Sequence, residues 1–233
     1  MNIFYTPDIT SDSYTLSEEE SKHCVRVLRM REGDELVLVD GKGGYFIAEI
    51  IEAFPKKCSV KIKDRKNEFG KRGHQLHIAC APTKNIERFE WFLEKATEIG
   101  IDEITPIDCE RSERTVVKSD RLNKVIIAAM KQSEKAYLPK LKEVISFPEL
   151  VSLKFSGQKF IAHCGAGPAS HLKDLVKKGE NVLVLIGPEG DFTANEIKFA
   201  KENDFMEVSL GSSRLRTETA ALAACHTVQL LND

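Results

Sequence analysis

Two segments near the carboxyl end combine bare backbone with hydroxyl and charged side chains. In the first, the apolar run Val182-Leu183-Val184-Leu185-Ile186 ends in Gly187-Pro188-Glu189-Gly190-Asp191-Phe192. In the second, Val208-Ser209-Leu210 leads into Gly211-Ser212-Ser213-Arg214-Leu215-Arg216-Thr217-Glu218-Thr219-Ala220. A strand that stops in Gly-Pro-x-Gly leaves unhindered backbone donors and a fixed turn at the carboxyl end of a sheet, where open α/β sheets take ligands. One such turn alone reads as an ordinary βα connection. The pattern of strand, glycine, hydroxyl and charge occurring twice reads as a ligand pocket between neighbouring loops. Glu189 and Glu218 fit two descriptions, as acid–base groups or as carboxylates attracted to a helix start.

A third glycine run, Gly165-Ala166-Gly167-Pro168-Ala169-Ser170, follows a strand-like stretch and imitates a dinucleotide fingerprint with serine for its third glycine. Its nearest following acid, Asp174, comes too soon for a ribose partner, which lies roughly 20 residues on. It supports only an alternative reading, an NAD-dependent oxidoreductase using Gly165 to Ser170. There is no Gly-x-x-x-x-Gly-Lys-Ser/Thr phosphate loop, no Gly-x-Ser-x-Gly nucleophile elbow and no His-Glu-x-x-His. The cysteines at 24, 58, 80, 109, 164 and 225 have neither CxxC nor metal-ligand spacing, and the six histidines are scattered. Most of the thiols are expected to be reduced, buried fillers, and no metal site is expected. His77 and His163 read as strand residues and His226 as part of a packed helix.

The elements that must position these loops form an α/β alternation. Strand-like runs at Leu76–Ala81, Glu103–Ile107, Lys159–Cys164, Asn181–Gly187 and Met206–Gly211 are separated by helical stretches, which predicts a mostly parallel sheet. From Lys84 to Ile99, Ile86, Phe89, Phe92 or Leu93, Ala96 and Ile99 share one helix face and Lys84, Arg88, Trp91 and Lys95 another, with Gly100 as the stop. Thr193-Ala194-Asn195-Glu196 is a capping box, with Phe192 and Ile197 placed as a hydrophobic staple. An Ala/Leu helix runs from the second loop to about Leu231.

The first seventy residues differ. Glu35–Asp40, a glycine turn at 41–44, and Tyr45–Ile51 signal a hairpin, and Cys58–Lys63 alternates as a half-buried strand. Ser17-Glu18-Glu19-Glu20 is a capping box opening a helix from Ser21 to Leu28. These predict a small β-barrel-like domain over 1–72 and an α/β domain over 73–233, with a linker near Gly70 to Gly73. Residues 56–72 hold eight Lys/Arg against two acids, whereas 180–233 hold four against nine, although the whole chain of 233 residues is only −2. A polyanion would meet the front half first. The longest apolar runs fall far short of the roughly 18 residues of a membrane span, and Met1–Glu20 lacks a signal peptide's basic and apolar regions. A cytoplasmic protein with no membrane partner is expected.

Leu185-Ile186-Gly187-Pro188-Glu189-Gly190, with Leu210-Gly211 and Leu215-Arg216-Thr217-Glu218-Thr219-Ala220, resembles the RsmE family, ribosomal RNA uridine N3-methyltransferases of the SPOUT, or α/β-knot, class. The resemblance spans the chain. His23-Cys24-Val25-Arg26-Val27-Leu28-Arg29 with Gly33-Asp34 is similar to that family's PUA-like module. Lys84, Arg88, Lys95-Ala96-Thr97-Glu98-Ile99-Gly100 and Pro106 match its first catalytic helix and strand, and Gln132-Ser133 with Pro139 match another block. This chain departs from the family pattern at Asp191, where a second glycine is usual, at Lys135 for arginine, and at Ser213-Arg214 for Arg-Ile.

The resemblance implies a SPOUT α/β trefoil-knot methyltransferase domain behind a small PUA-like β-barrel RNA-binding domain. It implies S-adenosylmethionine bent among the loops after Cys164, Ile186 and Leu210, with Ile186, Gly187, Glu189, Gly190, Leu210, Gly211, Leu215 and Thr219 as its binding residues. The absence of a phosphate loop agrees, because this cofactor has no phosphate. Arg216 would stabilise charge on the uracil, and Glu218 or Glu189 would take its proton or orient it. Arg26, Arg29, Lys56, Lys57 and Arg72, with Lys84, Arg88 and Arg111, would contact RNA phosphates. The implied substrate is N3 of a uridine in 16S ribosomal RNA of the small subunit, and the implied assembly a homodimer. A non-catalytic RNA-binding protein is the remaining alternative.

Overall fold

The computed structural model describes residues 2–165 and 170–233 and divides into two compact units, Met1–Lys71 with Met130–Leu138, and Arg72–Ala129 with Pro139–Asp233. The first unit is a five-stranded sheet of β1 (Ile3–Tyr5), β2 (Ser13–Thr15), β3 (Glu35–Val39), β4 (Tyr45–Phe54) and β5 (Lys57–Lys66), in the order β1-β3-β4-β5-β2. The β3–β4 hairpin forms at the expected glycine turn, where the Asp40 carboxylate accepts from the backbone N–H of Lys42 (2.7 Å) and Gly44 (2.9 Å). Register shifts at Ile47/Ala48 and Ile50/Glu52 interrupt the β4–β5 pairing, as bulges that bend a small sheet do.

Strand β3 is buried on both faces. Leu36 and Leu38 join Phe4, Phe46, Ile50, Val60 and Ile62 on one side, while Val37 and Val39 meet Ile3, Met130 and Ala136 on the other. The helix expected from Ser21 starts earlier and changes pitch. Helix α1 (Glu18–Lys22) is capped by Ser17, whose hydroxyl accepts from the Glu20 N–H, and a π-helical turn over His23–Val27 closes with Leu28 N–H donating to the His23 carbonyl.

The second unit contains β6 (Leu76–Cys80), α2 (Ile86–Ile99), β7 (Glu103–Asp108), α3 (Ser119–Gln132, whose last turn falls in the first unit), β8 (Lys140–Leu141), β9 (Ile145–Ser146), α4 (Phe147–Val151), β10 (Gln158–Ala162), α5 (Leu172–Leu175), β11 (Val182–Ile186), α6 (Ala194–Glu202), β12 (Met206–Val208) and α7 (Thr217–Asn232). Its strands are parallel in the order β12-β10-β11-β6-β7-β8, with β9 also on β7. The chain starts at the centre, moves to one edge, crosses to β10, and returns to lay β11 between β10 and β6. Strand β11 is buried throughout, as its unbroken Val/Leu/Ile run requires.

Helices α2 and α7 pack on each other, and α7 lies on β6 and β11; α4 and α6 cover the opposite side with Phe147, Phe192 and Phe205. Asn85 caps α2 by accepting from the Glu87 N–H, and Gly100, at φ +124°, ends it in a conformation that side chains avoid. The Thr193–Glu196 capping box forms in both directions. His226 lies on the exposed side of α7 rather than in its packed seam, and His163 is the first residue past β10 rather than within it.

His77 on β6 donates or accepts at Thr105 Oγ1 (2.8 Å), and burial together with Lys142 pushes its imidazole down to about 4. Glu103 lies 3.7 Å from the ring but is shared with Lys142, which blunts its help. A histidine lowered in the folded state stays neutral there while the unfolded chain binds a proton below its ordinary value of 6.5. The unfolded state then holds more protons, so stability falls with pH between about 6.5 and 4. Urea unfolding should lose about 2 kcal/mol from this residue between about pH 7 and pH 5, and His77→Gln should flatten that loss. An unchanged slope in the variant would contradict the assignment.

Candidate active site

The carboxyl ends of β10, β11 and β12 open into one cavity of about 720 Å³. This is the size of a drug-like or cofactor ligand, and it lies where the order of an open sheet reverses. Ile186 ends β11 and Gly187 and Glu189 follow it in the loop, Leu210, Gly211, Leu215 and Arg216 come from the loop after β12, and His163 and Cys164 from the loop after β10. The two glycine loops singled out in the sequence therefore do lie side by side. Residues 166–169 of the third glycine run are outside the described residues.

Two expected lining residues fall elsewhere. Gly190 faces Arg111, whose Nη1 donates to the Gly190 carbonyl (2.8 Å), and a Cβ there would stand 3.2 Å from the Arg111 side chain. Thr219 and Glu218 lie along a neighbouring cavity of about 300 Å³ that shares Arg216. Sequence reading missed His163, because a strand that looked continuous to Cys164 stops at Ala162 and frees the next side chain.

The loops are tied together. Asp191 stands at φ +61°, a backbone state at home in glycine, and its carboxylate accepts from the N–H of Cys164 (2.9 Å) and of Phe192 (2.8 Å). The residue that replaces the usual glycine thus carries some strain but joins the loop after β10 to the loop after β11. Thr217 Oγ1 donates to the Gly187 carbonyl (3.1 Å), joining the loop after β11 to the start of α7. Glu189 accepts from the Lys84 N–H (2.9 Å), while Arg114 donates to the carbonyls of Thr83 (3.1 Å) and Lys84 (2.8 Å). Glu189, on the wall of the larger cavity, is therefore held as a loop brace, while Glu218 is buried along the neighbouring one.

Arg216 is the N-cap residue of α7, exposed, with no side-chain cap bond of its own. His163 presents the opposite case. Its Nε2 meets Glu207 (3.2 Å), and its buried Nδ1 has no partner among the described residues, so a ligand in the cavity would supply the missing hydrogen bond. The cavity offers backbone groups, hydroxyls and this imidazole, with the charged side chains of Glu189, Asp191, Arg214 and Arg216 also on its wall. Such a mix of neutral donors and charges of both signs fits a nucleoside carrying an amino-acid arm.

The candidate RNA contacts separate by what they already touch. Arg26 and Arg29 are exposed, as are Lys56 and Lys57 at the β4–β5 turn, where Lys57 is 3.5 Å from Glu52. On the second unit Lys84 is exposed and paired with Glu113 (2.7 Å), and Arg88 is half-buried. Arg72 is committed to the fold: it donates to the Gly100 carbonyl and pairs with Asp102 (2.6 Å), holding the end of α2. Among the described residues no group of three or more His, Cys, Asp or Glu is placed to hold a metal ion.

Residues 71–229 match the family described as RNA methyltransferase domain, and residues 16–63 match the RNA methyltransferase PUA domain. The chain belongs to the RsmE family of RNA methyltransferases. A "probable rRNA-methyltransferase" from Porphyromonas gingivalis is 42% identical and superposes with a TM-score of 0.93 over all of this chain and 98% of that one. Ribosomal RNA small subunit methyltransferase E from Neisseria gonorrhoeae, solved bound to S-adenosyl methionine, is 26% identical with a TM-score of 0.90, over 100% of this chain and 98% of that one. The Bacillus subtilis protein of the same name is 28% identical over 229 residues, covering 93% of this chain and 89% of its own. The fold is accordingly that of a SPOUT, or α/β-knot, domain behind a PUA-like module.

Proposed function

We propose that this chain methylates N3 of a uridine in 16S ribosomal RNA of the small subunit, using S-adenosylmethionine, as a cytoplasmic homodimer. The observation that carries the reading is the preformed cavity at the carboxyl ends of β10, β11 and β12 in a chain of this RNA methyltransferase family. Its size suits that cofactor, and its backbone groups, hydroxyls and charged side chains suit a nucleoside with an amino-acid arm. No helix among the described residues is long and apolar enough to cross a membrane.

The cofactor supplies a methyl group on a sulfonium, and N3–C bond formation leaves the electron pair of the broken C–S bond on sulfur. Backbone groups of Ile186, Gly187, Leu210 and Leu215 would hold the nucleoside, and His163 Nδ1 would meet one of its polar atoms. Uracil N3 is a weak acid, protonated at neutral pH, so its proton must leave and the resulting charge must be shared. Glu218, buried at the first turn of α7, is the acceptor for that proton, and the Arg216 guanidinium stabilises the charge spread over the flanking carbonyls.

Calorimetry separates this reading from the NAD alternative. S-adenosylhomocysteine should bind and NAD should not; binding of NAD alone would overturn the methyltransferase reading. In the front unit, Lys56→Ala with Lys57→Ala should weaken RNA binding while turnover at saturating RNA survives. Loss of two phosphate contacts should flatten the salt dependence by about 1.8 units of slope on a duplex or about 1.4 on a single strand. An unchanged slope would remove both lysines from the RNA track.

A further inference from the structure

Strand β10 runs between β12 and β11, and the two residues that follow it are held from both sides. On the β11 side, Asp191 Oδ2 accepts from the Cys164 N–H (2.9 Å) and Oδ1 from the Phe192 N–H (2.8 Å), while the Asp191 N–H donates to the Pro188 carbonyl (2.9 Å). On the β12 side, Glu207 Oε1 meets His163 Nε2 (3.2 Å), and Glu207 Oε2 pairs with Lys201 Nζ of α6 (2.5 Å). Lys201 above all, with His163 adding to it, holds the Glu207 carboxyl below its ordinary value of 4.5, so it is an anion at neutral pH. An anion can only accept, so the imidazole carries a proton on Nε2 and its ring is turned one way.

Neither arm is free of cost. Asp191 stands at φ +61°, a backbone state that glycine enters more easily than a residue with a side chain. The His163 side chain is 3% exposed, withdrawn from water and compensated at Nε2 by Glu207. His163, Cys164 and Asp191 all line the cavity of about 720 Å³. A strained backbone state and a buried polar ring, both tied across the loops of one ligand cavity, mark a site whose shape is set in advance.

We propose that Asp191 and Glu207 are positioning residues for the cofactor, clamping the His163–Cys164 segment from opposite sides so that its wall of the cavity is in place before the cofactor binds. The proposal rests on the methyltransferase reading and adds to it what holds the loop after β10. Neither carboxylate has to touch the cofactor. A segment fixed beforehand spares the binding step the entropy of ordering it, so loss of either arm shows as weaker binding and not as slower chemistry.

Asp191→Gly, Asp191→Asn, Glu207→Ala and the double variant Asp191→Gly with Glu207→Ala, all in the full chain, test it by calorimetry with S-adenosylhomocysteine and by methylation of small ribosomal subunits from cells lacking the modification. Asp191→Gly and Glu207→Ala should each raise the Kd roughly 3–10-fold, the scale of one net hydrogen bond. The KM for S-adenosylmethionine should rise alike, with kcat at saturating cofactor within about twofold of wild type. In hydrogen exchange of the cofactor-free protein, the peptide containing Cys164 should lose protection in both variants and regain it with S-adenosylhomocysteine bound. Asp191→Gly should keep the wild-type unfolding midpoint, because relieved strain offsets the lost hydrogen bonds. Asp191→Asn should recover most of the affinity, since an amide oxygen still accepts from the Cys164 N–H and asparagine tolerates the same backbone state. Because either loss frees the same segment, the double variant should bind little worse than the worse single one.

An unchanged Kd in Asp191→Gly, or full protection at Cys164 in that variant, would overturn the clamp while leaving the methyltransferase reading intact. A loss in Asp191→Asn as deep as in Asp191→Gly would also overturn it, by making the negative charge a direct partner of the cofactor, and so would single effects that multiply in the double variant. A wild-type protein that transfers no methyl group and binds no S-adenosylhomocysteine would bring down the methyltransferase reading, and the clamp with it.

Discussion

Arg216→Ala should lower kcat by roughly 10²–10³, the cost of removing one donor aimed at developing charge, while the Kd for S-adenosylmethionine stays the same. Arg216 borders both cavities, at the N-cap of α7, and its side chain makes no hydrogen bond or ion pair among the described residues. Because the side chain holds nothing in place, its loss should leave the unfolding midpoint unchanged. Single-turnover kinetics with saturating cofactor and subunit isolates the chemical step. A variant that reacts at the normal rate, or whose only defect is cofactor binding, would remove Arg216 from the chemistry.

Glu218→Gln should also be severe. A carboxylate that takes the N3 proton contributes a factor of about 10²–10⁴, and an amide of the same shape can hydrogen-bond but cannot accept that proton. The residue is buried at the start of a helix, where negative charge is favoured, so the neutral variant gives up some of that attraction. Binding of S-adenosylhomocysteine should persist, and raising the pH should partly restore the rate as solvent base removes the proton. A Glu218→Gln enzyme with normal kcat at neutral pH would leave the residue as a helix-start charge only.

What the sequence disclosed followed from how local the determinants are. The glycine loops after Ile186 and Leu210, the Thr193–Glu196 capping box and the Gly100 stop depend on a few adjacent residues, so they were readable. The strand order was not, because β11 pairs not only with β10, its neighbour in sequence, but also with β6, which lies about a hundred residues earlier. The double-sided burial of Val37 and Val39 was hidden for the same reason: the residues that cover them, Met130 and Ala136, come from far along the chain. His163 was misplaced by a single position, which at the end of a strand separates a sheet residue from a pocket residue. Arg72 looked like one more charge in a basic run until Asp102 and the Gly100 carbonyl supplied its partners. Glu189 and Glu218 were equivalent as letters and diverge through their surroundings, a backbone N–H from Lys84 in one case and the wall of a second cavity in the other.

Mass spectrometry of 16S ribosomal RNA from cells with and without the gene for this chain tests the assigned methylation. Cells without the gene should lack a single methyl group, located by fragmentation on N3 of one uridine and restored by the wild-type gene but not by the Arg216→Ala form. An RNA whose methyl groups are all retained, or a missing methyl on another base or atom, would contradict it.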